Sequence, residues 1–231
     1  MDKTGIASLF DRIAHSYDGL NHLLSFGADR GWRRKAIRCL SPVENLLDVA
    51  IGTADLAIGI IGRNKAQTIT GLDVSGKMME IGREKVARRK MDGRISFVLG
   101  SALDMPFPDG SFDAVTCAYG LRNFPDAAKG LSEMFRVLRP GGELMILEFS
   151  YPENAFIRFF YDFYFSRILP VIGRIASGDK GAYEYLNRSV KGFVWGRELC
   201  GMIEAAGFRD VSFRTLTFGI TTIYLAKKQF D

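Results

Sequence analysis

From residue 43 onward, short apolar runs alternate with segments whose apolar residues recur at helical spacing. This pattern predicts strands at residues 46–50, 68–72, 94–99, 112–118 and 142–149, and helices at 54–63, 75–89 and 125–138. Such an alternation is typical of a mainly parallel sheet with right-handed crossovers. The junction from Leu138 to Gly142 contains Pro-Gly-Gly, which predicts a helix end and a turn before the strand.

The two ends of the chain follow other patterns. The apolar pattern over residues 5–40 predicts helices interrupted at Ser25-Phe26-Gly27. Near the other end, the pattern predicts a helix over 196–206 followed by an antiparallel pair of strands near 209–216 and 219–227. We expect a single α/β domain with a mainly parallel seven-stranded sheet and an antiparallel C-terminal strand. Its expected segments are a helical cap at 1–42, a core at 43–150, an aromatic-rich insertion at 151–190 and a C-terminal helix with two strands at 191–231.

The insertion at 151–190 is unusually rich in aromatic residues. Its apolar residues are Phe156, Phe159, Phe160, Tyr161, Phe163, Tyr164, Phe165, Ile168 and Leu169. Arg158, Asp162 and Pro170 interrupt this stretch too often for a membrane span. Two interpretations remain open, a helix buried on all sides, or an apolar lid that covers a ligand or lies at a lipid interface.

The stretch from Leu46 to Asp55 contains the strongest signal for a ligand. An apolar run reaches Asp48, and the turn Ala50-Ile51-Gly52-Thr53-Ala54 then opens the next helix. Small residues there let a ligand approach backbone N–H groups at a helix N-terminus. Only Gly52 of a dinucleotide fingerprint is present, and the carboxylate of Asp48 favours a cationic ligand such as S-adenosylmethionine (SAM) over a pyrophosphate. An ordinary strand-to-helix turn is the alternative.

A second acid follows at the end of the next predicted strand. Asp73 lies 25 residues after Asp48, close to the spacing at which a carboxylate accepts hydrogen bonds from ribose hydroxyls. Asp73 could also cap the helix that begins near Ser75, and both roles can hold together.

Composition narrows the function classes only a little. The net charge is +5 with a pI near 9.1, which could favour an anionic membrane or nucleic acid, but there is no polybasic run. Three widely spaced cysteines and two histidines give no disulfide framework or metal-ligand pattern, so we expect no metal. The first residues lack the pattern of a secretory signal, and we expect a cytoplasmic protein.

Several motifs together resemble the SAM-dependent C-methyltransferases of menaquinone and ubiquinone biosynthesis, over nearly the whole chain. The motifs are Tyr17 to Gly27 with Trp32, Asp48 to Asp55, Gly71 to Ser75, Met105 to Phe107, Phe112-Asp113, Gly120 to Asn123, Arg136 to Ser150, Gly178 to Lys180, Tyr183 to Leu186 and Ser189-Val190. The Y-D-x-x-N, G-L-R-N and E-F-S motifs select this family, whereas the Asp48 turn marks only the broad class of methyltransferases.

The resemblance implies a Rossmann-like methyltransferase fold and SAM as cofactor. It implies that Thr53 and Asp73 bind SAM, with Ser101 and Ala102 at the adenine and Ala118 beside the cofactor, in addition to Asp48 and Gly52. The chain departs from the family pattern at four positions. Ala54 stands where the family usually has its third glycine, and Ser101 stands where Asp or Asn is common. Ala118 stands where Ser is common, and Asp29 where the N-terminal motif tends to have His. Ala54 would weaken SAM binding only if its φ is positive or the backbone contacts the ligand. Asp104 could replace the acceptor absent at Ser101.

The implied reaction moves a methyl group to a ring carbon of a polyprenylated demethylmenaquinol. Removal of the quinol proton requires a base or a cation that stabilises the oxyanion. Arg122 is the first candidate for this stabilisation, Asn123 could orient the ring, and Tyr17 and Asn21 could form a proton relay. The alternatives are a structural salt bridge for Arg122 and helix-end hydrogen bonds for Tyr17 and Asn21.

Other functions remain open at this point. They are C-methylation of 2-methoxy-6-polyprenyl-1,4-benzoquinol or another small molecule, and a SAM-binding or assembly subunit without activity. The expected partner is a polyprenyl quinol, with peripheral contact to the inner face of the membrane and a homodimer as further options. Nucleic acid is not an expected substrate, because the basic charge is diffuse and no N-P-P-Y-like motif follows the fourth strand.

Overall fold

The computed structural model describes residues 3–164, 167 and 180–230. Its helices are α1 Lys3–Leu24, α2 Ala28–Cys39, α3 Asp55–Ile61, α4 Gly76–Arg88, α5 Ala127–Val137, α6 Ala155–Phe163, α7 Lys180–Gly192 and α8 Arg197–Ala205. Its strands are β1 Val43–Val49, β2 Ala66–Asp73, β3 Ile95–Leu99, β4 Phe112–Ala118, β5 Leu138–Phe149, β6 Arg209–Leu216 and β7 Thr221–Lys227. Short 3₁₀ helices occupy Leu121–Asn123 and Thr217–Gly219.

The strands form one sheet in the order β3-β2-β1-β4-β5-β7-β6. The first five run parallel, and β7 lies antiparallel between β5 and β6. The expected fold class is therefore confirmed. Because the strand order reverses at β1, the carboxyl ends of β1 and β4 flank a topological switch point, which is where open α/β sheets bind ligands.

Apolar side chains cover both faces of the sheet. One buried cluster joins α2 and α3 to the sheet through residues such as Trp32, Ile37 and Ile60. The other lies beneath α5 and α8 and includes Leu131 and Ile203. The central strands are thus buried on both faces, as expected for parallel strands that read as continuous apolar runs.

The predicted turn before the fifth strand is only partly right. Pairing begins at Leu138, which lies opposite Phe112, and the register then shifts so that Ala114 pairs with Glu143. The residues in between form a bulge in which Gly141 has a φ of 79°. The Pro-Gly-Gly sequence therefore bends the strand instead of ending its pairing.

Helix α2 is fixed by the residue that departs from the family pattern. Asp29 is buried and accepts hydrogen bonds from Arg33 and, at 2.9 Å, from the Ser25 hydroxyl. Its carboxylate also lies 2.7 Å from Nδ1 of His22 in α1. Arg33 in turn pairs with Asp55 at 3.0 Å, so the ion pairs of Arg33 join α2 to α3.

The aromatic insertion is only partly within the described residues. In α6, Phe156, Phe159, Phe160 and Phe163 are between 54% and 72% exposed, whereas Tyr161 is buried. The interpretation of a helix buried on all sides is therefore wrong for α6. Phe165, Ile168, Leu169, Pro170 and the Gly178-Asp179 pair lie outside the described residues. Within the described ranges, no helix has both the length and the hydropathy needed to cross a bilayer.

Candidate active site

A pocket opens at the carboxyl ends of β1, β2 and β4. It contains about 760 Å³ of empty space, a volume that includes open solvent at its mouth. Its walls are formed by Phe10, Tyr17, Ala50, Gly52, Leu72, Asp73, Val74, Met78, Gly100, Ser101, Ala102, Leu103, Ala118, Tyr119, Gly120, Asn123, Phe124 and Pro125. The predicted residues Tyr17, Gly52, Asp73, Ser101, Ala102, Ala118 and Asn123 are among them, and Asp48, Thr53 and Arg122 are not.

The turn after β1 has an unusual backbone. Ala50, Gly52 and Ala54 all have positive φ, at 59°, 54° and 64°. Ala54 is buried at the N-cap of α3 and has no side chain to cap the helix. The condition for strain at Ala54 is therefore met, because its Cβ occupies a left-handed conformation that favours glycine.

Close packing brings this turn against the segment that follows β4. A Cβ added to Gly120 would lie 2.6 Å from the Cβ of Ala50, so Gly120 permits the two segments to approach. Both residues line the pocket. The small residues of the two segments thus leave space at the switch point that larger side chains would fill.

Asp48 is buried behind the pocket. Its Oδ1 accepts a hydrogen bond from the Thr116 hydroxyl at 2.7 Å, and its Oδ2 has no partner among the described residues. Burial raises the pKa of Asp48 to about 7, the Thr116 hydrogen bond acts in the opposite direction, and the charge of Asp73 adds to the rise. A cationic ligand nearby would stabilise both carboxylates, which is the chemistry expected of the ammonium and sulfonium groups of SAM.

Asp73 joins the turn to the start of α4. Its Oδ2 accepts the N–H of Gly52 at 2.8 Å, and its Oδ1 accepts the N–H of Ser75 at 2.9 Å. Ser75, not Asp73, caps α4 by accepting the N–H of Met78, which corrects the capping alternative for Asp73. Burial raises the pKa of Asp73 although these backbone hydrogen bonds act to lower it. A carboxylate has further lone pairs, so ribose hydroxyls could still bind to it.

Thr53 faces away from the pocket. Its buried hydroxyl donates to Asp18 at 2.6 Å and accepts from the ammonium group of Lys85 at 3.1 Å. Any contact between Thr53 and a ligand in the pocket would therefore have to use its backbone, since its side chain is engaged with α1 and α4.

Ser101, Ala102 and Ala118 also line the pocket. The Ser101 side-chain oxygen accepts the N–H of Leu103 at 3.2 Å, and Ser101 forms an isolated bridge with Asp104. Asp104 is exposed and does not line the pocket, so this geometry gives no support to the idea that Asp104 replaces the missing acceptor.

Arg122 forms a buried ion pair with Glu148 of β5. Its Nη1 donates to Glu148 Oε1 at 2.8 Å and also to the carbonyl of Tyr119, and its backbone N–H donates to Glu148 Oε2 at 3.2 Å. The guanidinium lies 5.2 Å from the ring centre of Phe149. Burial has the largest single effect and acts to lower the pKa of Arg122, but the charge and hydrogen bond of Glu148, with the charges of Tyr17 and Tyr185, together raise the pKa. Its Nε has no hydrogen-bond partner among the described residues.

Asn123 lies on the pocket wall and is held from both sides. Its side-chain NH₂ donates to the carbonyl of Tyr119 at 3.1 Å, and its Oδ1 accepts the hydroxyl of Tyr185 at 3.0 Å. Tyr17 reaches the same pocket from α1, with its ring 6.1 Å from that of Phe10. Asn21 lies in α1, but its side chain is outside the described residues.

Sequence reasoning missed several residues of this region. Asp18, Lys85, Glu148 and Tyr185 each contact a predicted site residue. Asp18, Glu148 and Tyr185 belong to the motifs Y-D-x-x-N, E-F-S and Y-E-Y-L, and so a signal was present for them. Lys85 lies on a helix face with no such motif, and only its contacts reveal it.

The chain shares its fold with a class of solved structures, the α/β methyltransferases. Solved structures with similar folds include a Thermotoga maritima SAM-dependent methyltransferase, described as a possible histamine N-methyltransferase (TM-score 0.68, 18% identity, covering 97% of this chain and 100% of that one). Another is the Haemonchus contortus phosphoethanolamine N-methyltransferase 2 in complex with SAM (TM-score 0.69, 15% identity, 97% and 60% covered). The [4+2]-cyclase SpnF shares the fold too (TM-score 0.72, 17% identity, 100% and 98% covered), so the fold alone does not determine the reaction.

The sequence defines the family within this class. Residues 1–228 match the model of the ubiE/COQ5 methyltransferase family, and the chain belongs to this family. It is 44% identical to the demethylmenaquinone methyltransferase of Bacteroides fragilis over 96% of this chain and 92% of that protein. It is 47% identical to the ubiquinone/menaquinone biosynthesis C-methyltransferase UbiE of Geobacter sulfurreducens over 96% and 88%.

Proposed function

We propose that the protein is a SAM-dependent C-methyltransferase that converts a polyprenylated demethylmenaquinol to menaquinol. The observation that carries this proposal is the pocket at the switch point of the sheet, in a chain that belongs to the ubiE/COQ5 methyltransferase family. The relatives named demethylmenaquinone methyltransferase support the naphthoquinol as acceptor.

The cofactor half of the pocket lies along the turn after β1 and the end of β2. We assign the ribose to Asp73, the methionine part to the surroundings of Gly52 and Asp48, and the adenine to the wall formed by Ser101 and Ala102. The Asp48 oxygen that has no partner among the described residues and the small residues of the turn support this fit. SAM supplies an electrophilic methyl group, and Ala118 would lie beside it.

The acceptor half is the wall that carries Tyr17 and Asn123. Asn123 is fixed by Tyr119 and Tyr185, so its amide can orient a ring oxygen without first losing side-chain freedom. Tyr17 and Asn21, four residues apart on α1, would take part in moving the quinol proton. A pocket wall of mainly apolar residues excludes water from the reacting carbon.

We assign Arg122, which lies behind the pocket wall, to electrostatic stabilisation of the quinol oxyanion, with Glu148 as the residue that holds it. The buried position supports a strong electrostatic effect, since a fixed cation acts more strongly where water is excluded. Nη1 and the backbone N–H already bind Glu148, and Nε is a buried donor that lacks a partner in the described structure.

The exposed aromatic face of α6 supports a location at the cytoplasmic surface of the inner membrane. Its four phenylalanines, Phe156, Phe159, Phe160 and Phe163, would enter the lipid interface beside the prenyl chain of the substrate. Phe26 lies in the loop between α1 and α2 and is 84% exposed. Its ring centre is 6.0 Å from that of Tyr164, so Phe26 extends this aromatic surface.

A second acceptor, 2-methoxy-6-polyprenyl-1,4-benzoquinol, is favoured by the relatives named for both ubiquinone and menaquinone biosynthesis. To distinguish the two acceptors, the protein is incubated with labelled SAM and each quinol in detergent, and the label in the extracted lipid is counted. We expect label in the naphthoquinol. Label in the benzoquinol alone would overturn the proposed substrate, and label in neither, with SAM bound, would overturn the quinone function.

A further inference from the structure

Helix α1 docks on α4 through two carboxylates on one face. Asp11 accepts the Ser75 hydroxyl at 2.6 Å and the N–H of Lys77 at 3.3 Å, at the N-terminus of α4. A carboxylate at this end of a helix is stabilised by the helix dipole and by the free N–H groups of the first turn. Asp11 therefore fixes one point of α1 beside the residues that follow Asp73.

Asp18, two helical turns further along, fixes a second point. It accepts the Thr53 hydroxyl at 2.6 Å and the ammonium group of Lys85 at 2.8 Å. Lys85 also forms an ion pair with Asp55 in the first turn of α3. The charges of Lys85 and Arg33 lower the pKa of Asp55 although burial acts to raise it. One lysine of α4 thus joins the cap helix, the turn after β1 and the start of α3.

The residues that precede these two carboxylates reach the pocket. Phe10 and Tyr17 both line it, and their rings meet edge to face. Neighbouring residues on a helix point about 100° apart, so the docking of Asp11 and Asp18 on α4 determines where Phe10 and Tyr17 lie. The first helix consequently closes one side of the pocket.

We propose that Asp11, Asp18 and Lys85 are positioning residues that hold α1 closed over the cofactor pocket, so that release of this helix limits cofactor exchange. The proposal rests on the proposed function in taking SAM as the occupant. Lys85 is the central member because its side chain is only 11% exposed and contacts three partners, Asp18, Thr53 and Asp55. Loss of a charge-assisted bond of this kind should favour the open helix by about tenfold.

The test measures SAM dissociation and hydrogen exchange in the intact protein, without quinol. The variants are Asp18→Asn, Lys85→Met and Asp11→Asn, with Lys85→Arg as the conservative replacement. Arg88→Met is the matched control, because Arg88 is a base on the same helix that is 65% exposed and pairs only loosely with Glu84, at 3.7 Å. Dissociation of labelled SAM is followed after dilution into unlabelled SAM, and exchange is read on peptides from residues 3–24 and from β1 and β4.

We expect Lys85→Met and Asp18→Asn to release SAM about tenfold faster and to exchange faster in residues 3–24, with β1 and β4 unchanged. Lys85→Arg and Arg88→Met should resemble the parent protein. Unchanged SAM release and α1 exchange in Lys85→Met, Asp18→Asn and Asp11→Asn would overturn the proposal. Faster exchange in the strands as well would assign these residues to general stability and would also overturn it. Since no acceptor is present, neither result depends on the identity of the quinol.

Discussion

Ala54 occupies a backbone conformation that suits glycine better than alanine. The left-handed conformation of a residue with a Cβ lowers the free energy of unfolding by about 1–2 kcal/mol. Replacement by glycine removes this strain, but the greater freedom of glycine in the unfolded chain offsets roughly 0.5–1 kcal/mol of the gain. We therefore expect Ala54→Gly to raise the free energy of unfolding by about 0.5–1 kcal/mol and to leave SAM binding equal or tighter.

The matched control for this prediction is Ala57→Gly in the same helix. Ala57 is equally buried but lies within α3, where glycine should destabilise by about 1 kcal/mol. Urea unfolding measures both variants. A decrease in stability for Ala54→Gly similar to that of Ala57→Gly would show that the φ of 64° at Ala54 imposes no strain.

Asp48 should make the stability of the ligand-free protein depend on pH. Its pKa is about 7 in the folded protein, against 3.8 for an aspartate in an unstructured peptide, so the folded state binds its proton more tightly. The contribution of Asp48 is therefore most favourable below pH 3.8 and declines as the pH rises toward 7. The decline should be on the order of 2–4 kcal/mol for a shift of this size.

The variant Asp48→Asn should lack this decline. Unfolding free energies of the two proteins, measured by urea titration from pH 5 to pH 8 without SAM, are expected to converge at low pH and diverge at high pH. Parallel pH profiles would show that the buried carboxylate keeps an ordinary pKa. Saturating SAM should reduce the difference, because its cationic groups stabilise the ionised Asp48.

Arg122 and Glu148 form a buried ion pair. Arg122→Met leaves Glu148 charged and buried, which should destabilise the fold by about 3–5 kcal/mol. The double variant Arg122→Met with Glu148→Met should recover most of this loss. Melting temperature and single-turnover rate are measured on both variants and on the parent.

Turnover in the stable double variant then decides the role of Arg122. Slow methyl transfer with unchanged SAM affinity is expected, because the oxyanion would lose its cation. A turnover close to that of the parent would restrict Arg122 to the structural role that the buried salt bridge already provides.

At the scale of secondary-structure elements, α6 gives a testable surface. Replacing Phe156, Phe159, Phe160 and Phe163 by serine should remove most binding to vesicles of anionic phospholipid, because this binding scales with the apolar area inserted. The melting temperature should change little, since the four rings are exposed. Vesicle co-sedimentation measures the binding.

Phe230→Ser provides the matched control for the α6 surface. Phe230 is 80% exposed, but its ring lies near Gly141 in the first part of β5, away from the strand ends that carry the pocket. Vesicle binding should be unchanged in this variant. Equal binding by the parent and the fourfold α6 variant would contradict a lipid-facing role for α6.

Most elements could be predicted because their signals are local. The strand, turn and helix from Leu46 to Ile61 follow from apolar runs and small residues, and the structure has them within a few residues of the predicted bounds. The start of β5 was missed, because a Pro-Gly-Gly sequence does not reveal that a bulge lets pairing continue with Phe112. The exposure of the phenylalanines of α6 could not be predicted either, since the burial of a helix face depends on neighbours distant in sequence.

The residues of the candidate site could likewise be predicted where a local signal places them, whereas their long-range contacts could not. Gly52, Asp73 and Asn123 could be placed at the pocket because each follows a predicted strand, and parallel strands end at one edge of the sheet. The motifs mark Asp18 and Glu148, but they do not show that these residues contact Thr53 and Arg122. The contacts Asp18–Lys85 and Arg122–Glu148 join residues far apart in sequence, and no periodicity records such pairs.

At the scale of the whole molecule, the sheet brings the proposed cofactor side, which is acidic, and the proposed acceptor side, which is polar, to one pocket. Asp48 and Asp73 end β1 and β2 on one side of the switch point. Asn123 follows β4 on the other side, and Tyr17 covers both from α1. This arrangement accounts for a reaction in which carbon, methyl group and sulfur must lie in line without water.

The central claim is transfer of a methyl group from SAM to a ring carbon. The most direct measurement is a single turnover with SAM that carries a deuterated methyl group and with reduced demethylmenaquinone in detergent, followed by mass spectrometry of the extracted lipid. We predict one deuterated methyl group on the ring of a lipid that still reoxidises to the naphthoquinone. A deuterated methyl ether, which blocks reoxidation to the quinone, or no deuterium in the lipid while SAM remains bound to the protein, would contradict C-methylation.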